Sequence, residues 1–185
     1  MPLNEIIGAL QRKGIIFEQG LSCLEFEAIE SLYELTFPPD LKAFLSTVLP
    51  VSNHFVNWRD RDKANINKIK TSLNWPLNGM LFDVEHNSFW YEGWGAKPDH
   101  LEAALAMCKA EMSQVPRLIP IYSHRYIPSE PYEIGNPIFS VYQTDIIYYG
   151  DNLARYLMIE FGLASYDDIC FESIKPIRFW SDMVG

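Results

Sequence analysis

The sequence has no apolar run approaching the roughly 18–20 residues that a membrane-crossing helix requires. Its cysteines, Cys23, Cys108 and Cys170, are odd in number, far apart and without a C-x-x-C pair. That pattern argues against a disulfide framework or a cysteine zinc site and fits reduced thiols in a cytosol. No H-E-x-x-H, G-x-S-x-G or glycine-rich phosphate loop is present. Positive charge is scarce: 15 Lys and Arg stand against 24 Asp and Glu, for a net charge of −9. With no basic patch to offset it, that balance disfavours nucleic acid and anionic membranes as partners. The opening MPLNEIIGALQRKG carries charge within its short apolar run, unlike a signal peptide, so a cytoplasmic protein is expected. Internal repeats and low-complexity linkers are also missing, and one domain over residues 1–185 is expected.

Hydrophobic residues make up 48% of the chain and aromatics 14%, so large rings can dominate a core. Leu118 to Tyr149 is the organising stretch. Its short runs of Ile, Val, Tyr and Phe, bounded by Pro, Gly and Asn, predict successive strands. Helical patterns surround it. Leu3, Ile6, Ile7 and Leu10 predict a helix stopping at Gly14, followed by a small edge strand over Ile15 to Glu18. Ser22 and Glu25 form a capping box that opens a helix through about Leu35. Pro39 or Asp40 starts the next, with Leu41, Phe44, Leu45 and Val48 inward and Pro50 as its end.

Further along, His54 to Trp58 reads as a strand and Ile66, Ile69 and Leu73 as a shorter helix closed by Trp75-Pro76. Asn78-Gly79 then marks a turn, and Met80 to Val84 a strand. Pro98-Asp99 opens a helix carrying Leu101, Ala104, Leu105, Cys108 and Met112, and Gly150-Asp151 launches the last, ending at Gly162. In the tail, Ile174, Ile177, Phe179 and Trp180 are expected to tie back to the body.

Several clusters carry candidate chemistry. Asp83, Glu85 and His86, with His124, supply metal-ligand types near one turn, against the plainer reading of a polar strand end. His124 and Arg125, with Asp145 and Tyr148 from a later strand, fit a polar pocket; a structural ion pair at a strand bend is the alternative. Trp90, Tyr91 and Trp94 suit a stacking platform for sugars, a protein hot spot, or a plug between sheet and helices. No complete catalytic signature, metal site or cofactor site emerges.

The order and spacing of three segments resemble the SUKH superfamily, in its SMI/KNR-type branch. They are Phe37-Pro38-Pro39-Asp40-Leu41-Lys42-Ala43-Phe44-Leu45, then Leu118-Ile119-Pro120-Ile121-Tyr122, then Gly135 to Val141 with Ile146 to Gly150 and Leu153 to Leu157. Together they cover most of residues 20–162. The chain departs from the family where Leu49 to Asn53 replaces an Asn-Gly-rich turn, and in its Trp-rich segment Phe55 to Gly95.

The resemblance implies an α+β fold, with a central, mostly antiparallel sheet flanked by about five or six helices. It also implies a non-enzymatic module, known mostly as bacterial immunity proteins that bind and neutralise a toxin, often a nuclease. An acidic protein suits a basic toxin, since complementary charge speeds encounter and rejects wrong partners. The expected contact residues are Asp60, Asp62, Asp83, Glu85, Trp90, Glu92 and Trp94, with Glu130 and Glu133 from the loop after Pro128. A small-ligand or carbohydrate-binding regulatory domain using Trp90 and Trp94 is the alternative, and a metal-assisted hydrolase the third reading.

Overall fold

A computed structural model describes residues 2–185. Its elements run α1 (Leu3–Arg12), β1 (Phe17–Gln19), α2 (Cys23–Tyr33), α3 (Pro39–Thr47), β2 (Val48–Pro50), α4 (Lys63–His86) and α5 (Leu101–Met112). They continue as β3 (Leu118–Tyr122), β4 (Arg125–Pro128), β5 (Ile138–Tyr142), β6 (Asp145–Gly150) and α6 (Leu153–Glu160). This is the expected α+β fold, with six helices, a two-stranded antiparallel sheet β1-β2 and a four-stranded antiparallel sheet β3-β4-β5-β6.

Alternation along the four strands decides what each face of the larger sheet carries. Ile119, Ile121, Ile127 and Ile138 point one way, into a core with Ile6, Leu10, Phe26, Ile29, Phe44, Leu153 and Leu157. Their neighbours Leu118, Tyr126, Phe139, Val141 and Ile146 point the other way, onto Met80, Val84, Trp94, Ala104, Cys108 and the tail residues Ile177, Phe179 and Trp180. The sheet is therefore a middle layer with two cores.

Ser22 and Glu25 form the expected capping box, and Pro39 occupies the first turn of α3. The tail is tied down as expected. The Trp180 indole donates to the Pro116 carbonyl at 2.6 Å, Tyr148 Oη donates to Ser181 Oγ at 2.7 Å, and Tyr91 Oη donates to Asp182 at 2.6 Å.

Four expectations need correction. Val48 has left the helix and pairs in β2 with Gln19. His54 to Trp58 is not a strand; only Phe55 bridges to Tyr122, while the Trp58 ring packs between Tyr33 and Phe37. Leu101 opens α5 but lies exposed, so the inward stripe is narrower, with Ala104 and Cys108 buried.

The largest correction is α4, a single helix of 24 residues where a short helix, a turn and a strand were expected. Ile69, Leu73, Pro76, Met80 and Val84 all face inward, at one helical spacing. Pro76 has no N–H for the Ser72 carbonyl, which would normally leave that oxygen unpaired. Tyr126 Oη donates to it at 2.9 Å, so the sheet replaces the bond that proline removes.

Candidate interaction surface

The residues Trp75, Gly79, Asp83 and Asn87 recur every fourth position and share one face of α4 and its end. That face meets the turn between β5 and β6. The Trp75 indole donates to the Val141 carbonyl at 3.2 Å. A Cβ on Gly79 would lie 2.7 Å from Gln143 Cα, so only glycine permits this approach. One carboxylate oxygen of Asp83 accepts from Thr144 N at 2.9 Å and Thr144 Oγ1 at 2.6 Å, and the other accepts from Asn87 Nδ2 at 2.5 Å. Three residues of α4, Trp75, Gly79 and Asp83, thus fix the hairpin tip to the helix, and Asn87 holds Asp83 in place.

Around that junction lie three large exposed rings. Trp75 is 39% exposed, Phe82 45% and Tyr142 57%. The Trp75 and Tyr142 rings stand 6.0 Å apart, and His86 packs edge-on against Phe82 at 4.5 Å. Glu85 and Asp145 are exposed on the same helix end and hairpin tip. Surface aromatics grouped over a rigid base are the composition of protein-binding hot spots.

The contact residues expected from the sequence do not form this patch or any other single surface. Asp62 caps the start of α4 and Glu85 lies near its end, roughly 35 Å apart at about 1.5 Å per residue. Asp60 stays beside Asp62, accepting from its N–H at 2.9 Å. Asp83 is only 2% exposed and Trp94 5%, so both belong to the interior. Trp94 is boxed in by Phe89, Trp90, Tyr91 and Phe179, which removes it as a sugar platform. Trp90 is half-buried, its indole donating to the Gly95 carbonyl at 2.7 Å, and Glu92 is exposed in the short 3-10 turn Glu92–Trp94. Glu130 and Glu133 are exposed in the loop between β4 and β5, where Lys175 pairs with Glu133 at 2.9 Å.

The expected polar pocket separates in the same way. Arg125 pairs with Glu160 at 3.2 Å, donates to Ser140 Oγ at 2.8 Å and lies over the Tyr149 ring at 3.8 Å. His124 sits at the preceding turn, with burial and neighbouring Arg125 both holding its pKa below the ordinary imidazole value. Asp145 lies at the hairpin tip, and Tyr148 reaches Ser181 on the opposite face. Arg125 and Glu160 make a structural ion pair rather than an acid/base site. Among the described residues no three His, Cys, Asp or Glu side chains gather as a metal site, and Asp83, Glu85, His86 and His124 do not converge.

Two other concavities have some of their polar groups engaged within the protein. One, of about 680 Å3, contains Glu30, Glu34, Arg117 and Glu130. Glu30 accepts from Phe37 N and pairs with Lys42, and Arg117 donates to the carbonyls of Tyr33 and Glu34. A mainly apolar groove of about 400 Å3 between α1, α3 and α6 has Asp40 on its wall. That carboxylate accepts from Gly135 N and Leu41 N, and burial pushes its pKa up.

No family model, curated protein or solved structure matches the chain. Among the described residues no helix is long and apolar enough to cross a membrane; α4 has the length but is interrupted by Lys, Asn and Asp.

Proposed function

We propose that this protein is a non-enzymatic binding module that neutralises a basic protein partner, an immunity protein of the kind the SUKH resemblance implies. One observation carries the reading: Trp75, Phe82 and Tyr142 stand exposed together over a helix–hairpin junction held through Trp75, Gly79 and Asp83. Exposed rings on a rigid base bind with little ordering cost, which is how a modest area becomes a strong interface. The net charge of −9, with Glu85 and Asp145 beside the rings, steers a basic partner towards this end of the molecule.

The test uses a basic toxin-like domain encoded beside this protein's gene. Alanine at Phe82 or Tyr142 weakens its binding at least tenfold, and raised salt slows association. Alanine at Trp90 and Glu92, the surface expected from the sequence, leaves affinity within twofold. Unchanged affinity in the Phe82 and Tyr142 variants overturns the proposal.

A further inference from the structure

The groove between α4 and the hairpin has features of its own. Its volume is about 180 Å3, lined by Trp75, Asn78, Gly79, Phe82, Tyr142 and Gln143. This is below the roughly 300–1,000 Å3 of small-molecule pockets and suits a single side chain. Its lining is aromatic at Trp75, Phe82 and Tyr142, and Gly79 and two amide side chains complete it.

The charge next to the groove is negative and uncompensated. Asp83, beside Phe82 and one helical turn beyond Gly79, is buried, and its hydrogen bonds come from neutral donors, Thr144 and Asn87. Among the described residues the salt bridges do not include Asp83, and Glu85 meets only His86, at 3.7 Å. Aromatic faces are negative as well, so rings and carboxylate favour the same kind of occupant. A guanidinium fits best: it is flat, stacks on rings, sheds water more readily than an ammonium, and its N–H groups can meet the amide oxygens of Asn78 and Gln143.

We propose that this groove is the seat of one arginine side chain presented by the basic protein partner. The inference rests on the binding-module reading and names what that module grips. The contact is the guanidinium against the rings of Trp75, Phe82 and Tyr142, with its alkyl stem over Gly79 and the field of Asp83 alongside.

The experiment follows the Trp75 indole N–H by NMR, assigned with Trp75→Phe, while N-acetyl-arginine amide is added to the whole protein. The citrulline, norleucine and lysine counterparts serve as comparisons. Arginine amide is expected to shift the Trp75 signal with a half-saturation at least threefold lower than any counterpart. Tyr142→Leu and Phe82→Leu, both at exposed positions, each weaken the response at least threefold while the unfolding midpoint holds. An equal response to citrulline or norleucine overturns the proposal, because the groove is then merely apolar. An equal response to lysine overturns the choice of guanidinium, and no response to any probe overturns the seat itself. None of these results touches the binding-module reading, which fails separately if alanine at Phe82 and Tyr142 leaves affinity for a toxin domain unchanged.

Discussion

One face of the four-stranded sheet is covered by α1, α2, α3, α6 and the first half of α4, which meet it with aliphatic, Phe and Tyr side chains. At the start of the inner strand β4 it tolerates charge: Arg125 and Glu160 pair there, largely covered, with Arg125 over the Tyr149 ring. The opposite face is closed by α4, α5 and an irregular segment around Ile177 to Trp180, and rings dominate it. Trp94 stacks with Phe179 at an interplanar angle of 11°, and Phe179 meets Trp180 edge-on. The first face is held mainly by regular helices, three of them from the first 47 residues and another directly after β6. The second depends on a segment with little regular structure of its own, so packing and indole hydrogen bonds do the work of helix periodicity there. The contrast teaches that the sheet's two sides need not share one stability.

Trp180→Ala tests that division most severely. It removes a side chain 2% exposed and leaves the Pro116 carbonyl without its donor, so the loss is about 3–5 kcal/mol in urea unfolding. Cys108 supplies a local readout, because it is buried on this face and burial raises its thiol pKa to about 11. In the native protein the exposed Cys23 and Cys170 are expected to react with a thiol reagent and the buried Cys108 is not. Trp180→Ala is expected to open Cys108, whereas Leu153→Ala on the other face leaves it closed. Equal opening by both variants would make the two faces one cooperative unit and end the comparison.

The ion pair sharpens the contrast from the other side. Arg125→Met strands Glu160 and is expected to cost about 2–4 kcal/mol, since both side chains are largely covered. Adding Glu160→Leu returns the protein to within about 1 kcal/mol of the native stability, by a double-mutant cycle. Tyr126→Phe ranks next, at about 1–2 kcal/mol, for it orphans the Ser72 carbonyl. With Pro76→Ala already present, the helix supplies that donor itself and the cost of losing the hydroxyl falls.

The smallest effect lies outside both cores. Arg59 donates to Glu25 at 2.6 Å and pairs with Glu18 at 3.0 Å, and that bond, with those from Ser22, lowers the Glu25 pKa from 4.5 to about 2. A depressed carboxylate contributes stability that is full above about pH 4.5 and is lost as pH falls towards 2. The group is a third exposed, which limits the contribution to under about 1 kcal/mol. Arg59→Met is expected to flatten that part of the acid unfolding curve.

How much of this was legible in the sequence depends on whether the cause was local. Ser22 with Glu25, Pro39, and the strand runs between Leu118 and Tyr149 announced themselves, because capping and alternation act over a few residues. Pro76 and Asn78-Gly79 misled, because the partners that make them compatible with a helix, Tyr126 and Gln143, lie more than 45 positions away. That error hid the candidate surface. Read as helix, Trp75 and Phe82 fall seven residues apart on the side away from Leu73 and Met80, and two outward rings on one face would have been the signal. Trp94, Asp83 and the other expected contacts have the residue types of a binding surface, and type does not say whether a side chain is covered.

Pro76 also makes the helix dependent on the rest of the molecule. Residues 63–86 cut out as a peptide would break at the proline into pieces of 13 residues or fewer, at or under the roughly 12–15 residues at which isolated helices become marginal. Tyr126 supplies from the sheet the hydrogen bond that the helix cannot give Ser72 itself. The continuity of α4 therefore leans on the hairpins, and so does the scaffold on which the exposed rings stand.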